Sequence, residues 1–346
     1  MKTKTQVFDI SLKDPFGVAP YTRTKKQNVV LLMSDDNGTY YGEASPSRYY
    51  SETLKSVRES FEKTKDIIID SDLFYIEELM TRVKERIPEA NACRAMIEMA
   101  VFDYIGKQLN IPVYRLLGLK PPDGMSTSFT IGIDTIDIML EKVDRAVDFP
   151  ILKIKLGRDV DHDLEVMKKI RDRTDKILRV DANGGWSAEE AEKCIKFLAD
   201  LGVEYVEQPL KTGSLRKLRD LKKKSPLPIY VDEDVHRTDT FPDLLEVCDG
   251  INLKLIKTGG LLEARRMVTN ARTFGLKTMM GCMIESSLAI TAAAHIGSLF
   301  DHLDLDGNIL LADDPFEGVK VEKGCLAMPD GPGLGVTPND LFRPHD

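Results

Sequence analysis

Short apolar runs that end in a charged or small residue recur at a nearly constant spacing through most of the chain. From Lys155 onward, seven residues at or next to the ends of successive runs are separated by 26, 26, 25, 25, 24 and 23 positions; they are Lys155, Asp181, Glu207, Asp232, Lys257, Gly281 and Asp304. A spacing near 25 residues accommodates one strand, one helix and two short loops, so eight such runs predict a (β/α) barrel. The runs are 128–133, 151–155, 177–181, 203–207, 229–232, 251–256, 276–281 and 302–306.

An open, doubly wound parallel sheet is the competing architecture. It usually carries a glycine-rich phosphate turn after its first strand. No GxGxxG motif occurs in this sequence. The sequence therefore favours an α/β fold of the barrel type.

The first 120 residues follow a different pattern. Residues 29–33 form an apolar, strand-like run that ends at the turn signal of residues 35–38, and residues 40–44 are a suitable hairpin partner. Antiparallel strands followed by helices predict an α+β piece in front of the barrel. Three helical stretches follow the hairpin, near 51–65, 73–86 and 90–109.

Composition excludes several classes of protein. The 346 residues include 48 Lys and Arg against 56 Asp and Glu, a net charge of −8. This acidic balance argues against nucleic acid or an anionic membrane surface as the main partner. No uninterrupted apolar run approaches the roughly 18 residues of a membrane helix. The five cysteines are odd in number and scattered, which is typical of reduced thiols in a cytoplasmic protein.

Three carboxylates end three successive barrel runs. In a barrel of this kind Asp181, Glu207 and Asp232 face one shared pocket at the C-terminal ends of the strands. Taken singly, each could instead cap the next helix. Together they repel one another and need a cation, and an all-oxygen set favours one Mg²⁺. Zinc prefers the His or Cys ligands that these positions lack.

Lysines end the runs on either side of these carboxylates. Lys153 and Lys155 are two residues apart on a strand and point to the same face, into the barrel mouth. Lys257 ends a run four strands further on, across the barrel axis. Two opposed lysines beside a metal suggest a proton removed from one face of a carbon and returned from the other, while Mg²⁺ holds a carboxylate and stabilises the enediolate. Solvated lysines, or a phosphate loop at 257–260, are the alternatives.

The last run carries a second acidic pair. Asp304 and Asp306 also stand two residues apart and face inward. Helix capping or a salt bridge would explain them structurally. Their functional interpretation is the capture of a cation, such as a substrate ammonium group.

In this order the motifs of the chain resemble the enolase superfamily, in its muconate-lactonising subgroup, and within that subgroup the dipeptide epimerases. The resemblance spans nearly the whole chain. Its motifs are Ala95-x-x-Glu98-Met99-Ala100-x-x-Asp103, Thr127-Ser128-Phe129-Thr130-Ile131-Gly132, Lys153-Ile154-Lys155, Asp181-Ala182-Asn183-Gly184-Gly185-Trp186, Val206-Glu207-Gln208-Pro209, Val231-Asp232-Glu233, Lys257-Thr258-Gly259-Gly260, Gly281-Cys282-Met283-Ile284-Glu285-Ser286 and Asp304-x-Asp306.

This resemblance implies a three-part organisation. Residues 1–122 would form an α+β capping domain and residues 123–312 a modified TIM barrel. Residues 313–346 would return to the cap. A closed homo-oligomer is the base-rate expectation for such a chain.

The resemblance also implies roles for the strand-end residues. Asp181, Glu207 and Asp232 match the Mg²⁺ ligands of the family, and Lys155 and Lys257 match its opposed acid/base pair. The implied substrate contacts are Lys153 beside the carboxylate, Asp304 and Asp306 at the free ammonium, and Thr130, Cys282 and Ile284.

The implied activity is Mg²⁺-dependent epimerisation of a small dipeptide, L-Ala-D-Glu to L-Ala-L-Glu, during the breakdown of cell-wall peptides. One departure affects the glutamate preference: where these enzymes often carry an Arg after Pro-Phe, this chain has Tyr21, with Arg23 two residues on. The alternatives are an o-succinylbenzoate synthase or cycloisomerase on the same scaffold, and a non-enzymatic or phosphate-binding barrel.

Overall fold

The computed structural model of the chain describes residues 1–19, 21–235, 241–343 and 345, with Arg48 described by its backbone alone. Within these ranges, no helix combines the length and the apolar character that crossing a membrane requires.

The chain begins with a three-stranded antiparallel sheet in the order β1 (Lys2–Val18), β2 (Tyr21–Asp35) and β3 (Gly38–Ala44). The predicted hairpin is confirmed as β2 and β3. Strand β1 was not predicted, although Phe8 and Ile10 alternate with polar residues and are buried.

Three helices complete this first part of the molecule. They are α1 (Leu54–Ile69), α2 (Ile76–Arg86) and α3 (Asn91–Leu109), close to the predicted stretches. Helix α1 is preceded by the N-cap residue Thr53, which forms a capping box with Ser56. Helix α3 is buried on nearly all sides because it lies between the antiparallel sheet and the second part of the chain.

Eight parallel strands form the second sheet, in chain order from β4 to β11. A parallel bridge between Thr127 and Leu303 joins its two edges, so the sheet closes into the predicted barrel. The strands are β4 (Phe129–Ile131), β5 (Ile151–Lys155), β6 (Ile177–Asp181), β7 (Val203–Glu207), β8 (Ile229–Val231), β9 (Gly250–Leu253), β10 (Lys277–Gly281) and β11 (His302–Asp304).

Helices connect the barrel strands and cover the outside of the barrel. Their apolar faces pack on the strands, as a (β/α) barrel requires. They are α4 (Val113–Leu116), which precedes the barrel, then α5 (Ile136–Arg145), α6 (Val160–Arg173), α7 (Ala188–Asp200), α8 (Leu215–Lys222), α9 (Phe241–Leu244), α10 (Leu255–Thr258), α11 (Leu261–Thr273) and α12 (Ser287–Ala294).

Strand register places the predicted run ends side by side. Lys155 pairs with Asp181, and Asp181 pairs with Glu207, as Cα partners on β5, β6 and β7. The regular repeat therefore brings the charged ends of these strands to one edge of the barrel.

One predicted strand end is wrong. The apolar run was expected to continue as a strand through residue 256 and to end at Lys257. Strand β9 ends at Leu253, and the chain turns into the short helix α10, which carries Lys257.

The described residues after 312 form short strands and lie partly against the first domain. These strands are β12 (Phe316–Glu317), β13 (Lys320–Glu322), β14 (Cys325–Ala327) and β15 (Thr337–Pro338). The Leu334 N–H donates to Asp103 of α3 at 2.9 Å. The Val7 N–H donates to the carbonyl of His345 at 2.8 Å. The division of the chain at residues 122 and 312 stays a prediction.

Candidate metal centre and active site

Three buried carboxylates converge at the C-terminal edge of the barrel. Asp181 and Glu207 end β6 and β7, and Asp232 directly follows β8. One oxygen of each lies within 4.8 Å of one oxygen of the others. None of the three side chains is exposed by more than 1%.

Neighbouring donors orient these carboxylates. The backbone N–H of Asn183 donates to Asp181 Oδ1 at 2.8 Å, and the Asn252 side chain donates to Glu207 Oε1 at 2.7 Å. The other oxygens, Asp181 Oδ2 and Glu207 Oε2, lie 3.6 and 2.6 Å from Lys153 Nζ. Such outer contacts hold metal ligands in a fixed geometry.

The charge of this cluster calls for a cation. Burial and the nearby Asp181 raise the pKa of Glu207 to about 7. Burial alone would raise the pKa of Asp232 also, but Lys254 and Lys257 hold it below its ordinary value. Hard oxygen donors in a compact buried set fit Mg²⁺.

The two lysines of β5 both reach the carboxylates. Lys155 Nζ donates to Asp181 Oδ2 at 2.5 Å and lies at the wall of the cavity. Lys153 lies deeper, with Nζ 2.6 Å from both Asp304 Oδ2 and Glu207 Oε2. Their common direction follows from the two-residue period of the strand.

Lys257 does not face Lys155 across the cavity. Its side chain is fully buried, and its ammonium donates to the carbonyl oxygens of Asp232 and Asn252 at 2.7 and 2.8 Å and to the Asp232 carboxylate. It is absent from the described residues that line the cavity. The prediction of its position was wrong because β9 ends four residues earlier.

Lys254 occupies the place that the sequence analysis gave to Lys257. It directly follows β9, its side chain lines the cavity, and its Nζ lies 2.8 Å from Asp232 Oδ2. Lys26, Lys155 and Lys254 line the cavity among the described residues, and of these Lys155 and Lys254 contact the carboxylate cluster.

The acidic pair at the end of β11 meets the segment that carries β4. Asp306 Oδ2 accepts from the Thr130 N–H at 2.6 Å, and Asp304 accepts from Ser128 and from Lys153. Both carboxylates and Thr130 line the cavity. Burial, and then the neighbouring Asp304, raise the pKa of Asp306 to about 7, and the opposing effect of Lys153 is smaller.

The segment after β10 is held by the first domain. The carbonyl oxygen of Ile284 accepts from Asn28 Nδ2 and Ser45 Oγ, both at 3.2 Å, and from Lys26 Nζ at 3.3 Å. This carbonyl oxygen therefore accepts hydrogen bonds from the first domain, the cap. Cys282 and Ile284 both line the cavity, beside Met283.

Aromatic residues form one wall of the cavity, the aromatic wall. Tyr21 and Arg23 both line it, and the Arg23 guanidinium carbon lies 4.4 Å from the centre of the Tyr21 ring. The cation is thus stacked on the aromatic face. The other aromatic residues of this wall are Phe16, Tyr49 and Tyr50.

Two further residues join the site without having been assigned a role from the sequence. Glu233 is 6% exposed, lines the cavity and accepts from Asn183 Nδ2 at 3.1 Å; burial, and then Asp232, raise its pKa to about 8. Gln208 Oε1 accepts from the N–H groups of Asp232 and Glu233 at 2.9 and 3.0 Å. Their sequence signals were adjacency to the predicted metal ligands and a place within two motifs of the family resemblance.

Two family models match the chain. Residues 138–341 match the enolase C-terminal domain-like family, and residues 2–118 match the mandelate racemase / muconate lactonizing enzyme N-terminal domain. Together with the barrel, the N-terminal domain and the carboxylate cluster, these matches place the chain in the mandelate racemase / muconate lactonizing enzyme class.

Curated relatives and solved structures narrow the class. An L-Ala-D/L-Glu epimerase of Bacteroides thetaiotaomicron is 38% identical over 97% of this chain and 88% of its own length. A hydrophobic dipeptide epimerase of Flavobacteria bacterium (strain MS024-2A) is 38% identical over 95% of both chains. The dipeptide epimerase of Enterococcus faecalis V583, solved with Mg and L-Leu-L-Tyr, has a TM-score of 0.91 at 31% identity and covers 97% of this chain and 98% of its own. The chain belongs to the enolase superfamily and, within its muconate-lactonising subgroup, to the dipeptide epimerases.

Proposed function

We propose that the protein is a Mg²⁺-dependent isomerase that inverts the α-carbon of the C-terminal residue of a dipeptide. The substrate pair that we propose is L-Ala-D-Glu and L-Ala-L-Glu. Lys155 and Lys254 are the two bases in this proposal, and Lys254 replaces Lys257 in the role expected from the sequence.

The observation that carries the proposal is the composition of one cavity wall. Lys155, Lys254, Asp304 and Asp306 all line the same cavity beside the carboxylate cluster. An enzyme that only lactonises or dehydrates its substrate has no need of two carboxylates for a free ammonium group. A dipeptide with a free amino terminus uses all four side chains.

Binding would fix the dipeptide at both ends. Asp304 and Asp306 receive its α-ammonium group as charge-assisted hydrogen-bond partners. Asp181, Glu207 and Asp232 would hold the metal. Mg²⁺ bound there would supply positive charge that stabilises the negative charge developing on the substrate carboxylate.

Proton transfer is divided between the two lysines. A lysine can remove a proton only in its neutral form, and a base works best when its pKa lies near the operating pH. Lys155 takes the α-proton from one stereoisomer, and Lys254, as an ammonium group, returns a proton to the other face. The roles reverse for the opposite stereoisomer.

Charge and shape at the aromatic wall support two substrate classes. Arg23 in the cavity supports an acidic C-terminal residue, as in Ala-Glu. The rings of Tyr21, Tyr49 and Tyr50 support a second candidate, epimerisation of hydrophobic dipeptides, because aromatic surfaces favour apolar side chains. The relatives that carry these two activities are equally similar, at 38% identity.

Incubation of the Mg²⁺-loaded enzyme with a panel of dipeptides in D₂O tests the proposal. We expect deuterium at the α-carbon of the C-terminal residue together with inversion of that carbon. Arg23→Ala should weaken Ala-Glu selectively and spare hydrophobic dipeptides. Lack of exchange with every dipeptide, alongside turnover of a cycloisomerase or o-succinylbenzoate synthase substrate, would overturn it.

The setting and assembly of the enzyme remain proposals. We propose a cytoplasmic enzyme of cell-wall peptide breakdown, because its five cysteines are free thiols and because Ala-Glu occurs in that material. A closed homo-oligomer is proposed on the base rate alone.

A further inference from the structure

One face of helix α3 contacts the segment that follows β9. Asn91, Arg94 and Glu98 are spaced three and four residues apart, so their side chains leave the helix on the same side. Arg94 and Glu98 are 4% and 2% exposed. The three side chains meet the turn between α10 and α11, which belongs to the barrel.

Two hydrogen bonds tie this turn to α3. Asn91 Nδ2 donates to the carbonyl oxygen of Lys257 at 2.5 Å. Glu98 Oε1 accepts from the Leu262 N–H at 2.9 Å, in the first turn of α11. The two bonds thus hold the end of α10 and the beginning of α11.

The glycines of the turn fit these side chains closely. A Cβ atom at Gly259 would lie 2.8 Å from Arg94 Nη2, and one at Gly260 would lie 2.5 Å from Glu98 Cδ. Gly259 also has a φ of 89°, which side-chain-bearing residues rarely adopt. The Gly-Gly pair therefore leaves room for the Arg94 and Glu98 side chains of the cap. Because these side chains lie against it, the pair does not form a free anion-binding loop.

The clamped turn is connected directly to Lys254. The carbonyl oxygen of Lys254 accepts from the N–H groups of Lys257 and Thr258 at 2.9 and 3.0 Å, and Lys254 is the residue that precedes α10. A shift of the turn would therefore move the backbone from which the Lys254 side chain reaches Asp232.

We infer that Asn91 and Glu98 are positioning residues for Lys254: the cap holds the α10–α11 turn, and the turn sets the position of one of the two bases. Lys155 lies on β5 and has no contact with this clamp among the interactions of the described residues. Loss of the clamp should therefore impair one direction of proton removal and spare the other. The inference rests on the proposed two-base function.

Deuterium exchange at the α-carbon, measured in D₂O separately from each stereoisomer of the dipeptide, tests this inference. Lys254→Ala first identifies the stereoisomer whose exchange depends on Lys254. The test variants are Asn91→Ala and Glu98→Ala, and Glu98→Gln is the conservative rescue because its amide oxygen can still accept from Leu262. Asp103→Asn is the matched control, a buried carboxylate on the same helix that contacts the C-terminal segment instead.

We expect Asn91→Ala and Glu98→Ala to slow exchange at least about tenfold from the Lys254-dependent stereoisomer, because small displacements of a catalytic group have large rate effects. The exchange rate from the other stereoisomer should change less than about threefold, which corresponds to a small change in the activation free energy. Glu98→Gln and Asp103→Asn should keep the wild-type ratio.

Equal slowing of both stereoisomers, or none of either, would overturn the positioning role while leaving the two-base function intact. If Glu98→Ala does not fold, Asn91→Ala decides, because it removes one partly exposed hydrogen-bonding side chain. Wild-type enzyme that exchanges neither stereoisomer would instead overturn the proposed function itself.

Discussion

Lys254 Nζ and Asp232 Oδ2 lie 2.8 Å apart at the wall of the cavity, while the other carboxylate oxygen of Asp232 accepts from Lys257. Asp232 is therefore shared by the metal centre and two lysines. Lys254 lines the cavity, whereas Lys257 is buried outside it. Burial alone would lower the pKa of Lys254, but Asp232 raises it well above the ordinary value. Beside Asp232, Lys254 is thus held as an ammonium group, the form that donates a proton.

Removal of the metal should destabilise the fold. With Mg²⁺ at about 100 times its dissociation constant, ligand binding alone adds about 2.7 kcal/mol to the free energy of unfolding. We expect thermal unfolding after EDTA treatment to occur at a lower temperature and to recover with added Mg²⁺. Glu207→Gln should lose most of this Mg²⁺ response. A melting temperature independent of Mg²⁺ would contradict the assignment of the carboxylate cluster as a metal centre.

Asp306→Asn should impair recognition of the dipeptide ammonium group. The amide keeps the oxygen that accepts from Thr130 but removes the charge that faces the ligand. Loss of a charged hydrogen bond costs about 1.5–3 kcal/mol, which is about a 10- to 100-fold rise in KM for a free dipeptide. Steady-state kinetics measure this, with an N-acetylated dipeptide as the matched ligand that lacks the charge. An unchanged KM would favour a cycloisomerase or an o-succinylbenzoate synthase.

Lys257→Met should act on stability first. The substitution leaves the Asp232 carboxylate with one ammonium partner in place of two and leaves the Asn252 carbonyl without this donor. Breaking a buried ion pair costs about 3–5 kcal/mol. Urea unfolding should show a loss of this order. Unchanged stability together with loss of exchange from only one stereoisomer would restore Lys257 as the second base.

The stability of the protein should depend on pH through His295. Its Nδ1 accepts from the Tyr114 N–H, and its Nε2 donates to the carbonyl of Leu334, both at 3.1 Å, so the folded state holds the neutral ring. Burial lowers the pKa of His295 to about 4. The unfolded chain takes up this proton near pH 6.5, so the contribution of His295 to the free energy of unfolding falls by about 3 kcal/mol as the pH drops from about 6.5 to about 4.

His295→Gln should flatten this part of the pH profile, because a glutamine side chain offers one acceptor and one donor without titrating. Urea unfolding of both proteins between pH 4 and 7.5 provides the comparison. If the two profiles ran parallel through that window, the histidine would not be the source of the acid sensitivity.

Much of the barrel was predictable because its strands are short apolar runs with charged ends. The predicted bounds of β5, β6 and β7 coincide with those of the structure. Parallel register then places Lys155, Asp181 and Glu207 side by side. The metal cluster follows from local sequence together with a single rule of barrel geometry.

Prediction failed where tertiary packing decides the local structure. Leu255 and Ile256 look like a continuation of β9, but Leu255 packs in the barrel core and Ile256 in the core of the cap. The chain turns into α10 to reach both, so the strand-end lysine is Lys254. The nearly constant repeat favoured Lys257, which lies 25 residues after Asp232, over Lys254, which lies 22 residues after it. The contacts of Tyr21 and Arg23 depend on the meeting of cap and barrel, which no local pattern specifies.

The two-base account is tested most directly by α-proton exchange in D₂O with Lys155→Ala and Lys254→Ala. Each variant, loaded with Mg²⁺, is incubated separately with the two stereoisomers of one dipeptide substrate. The account predicts that each variant loses exchange from a different stereoisomer, retains exchange from the other, and no longer inverts the α-carbon. Lys254→Ala that exchanges both stereoisomers at the wild-type rate would contradict it.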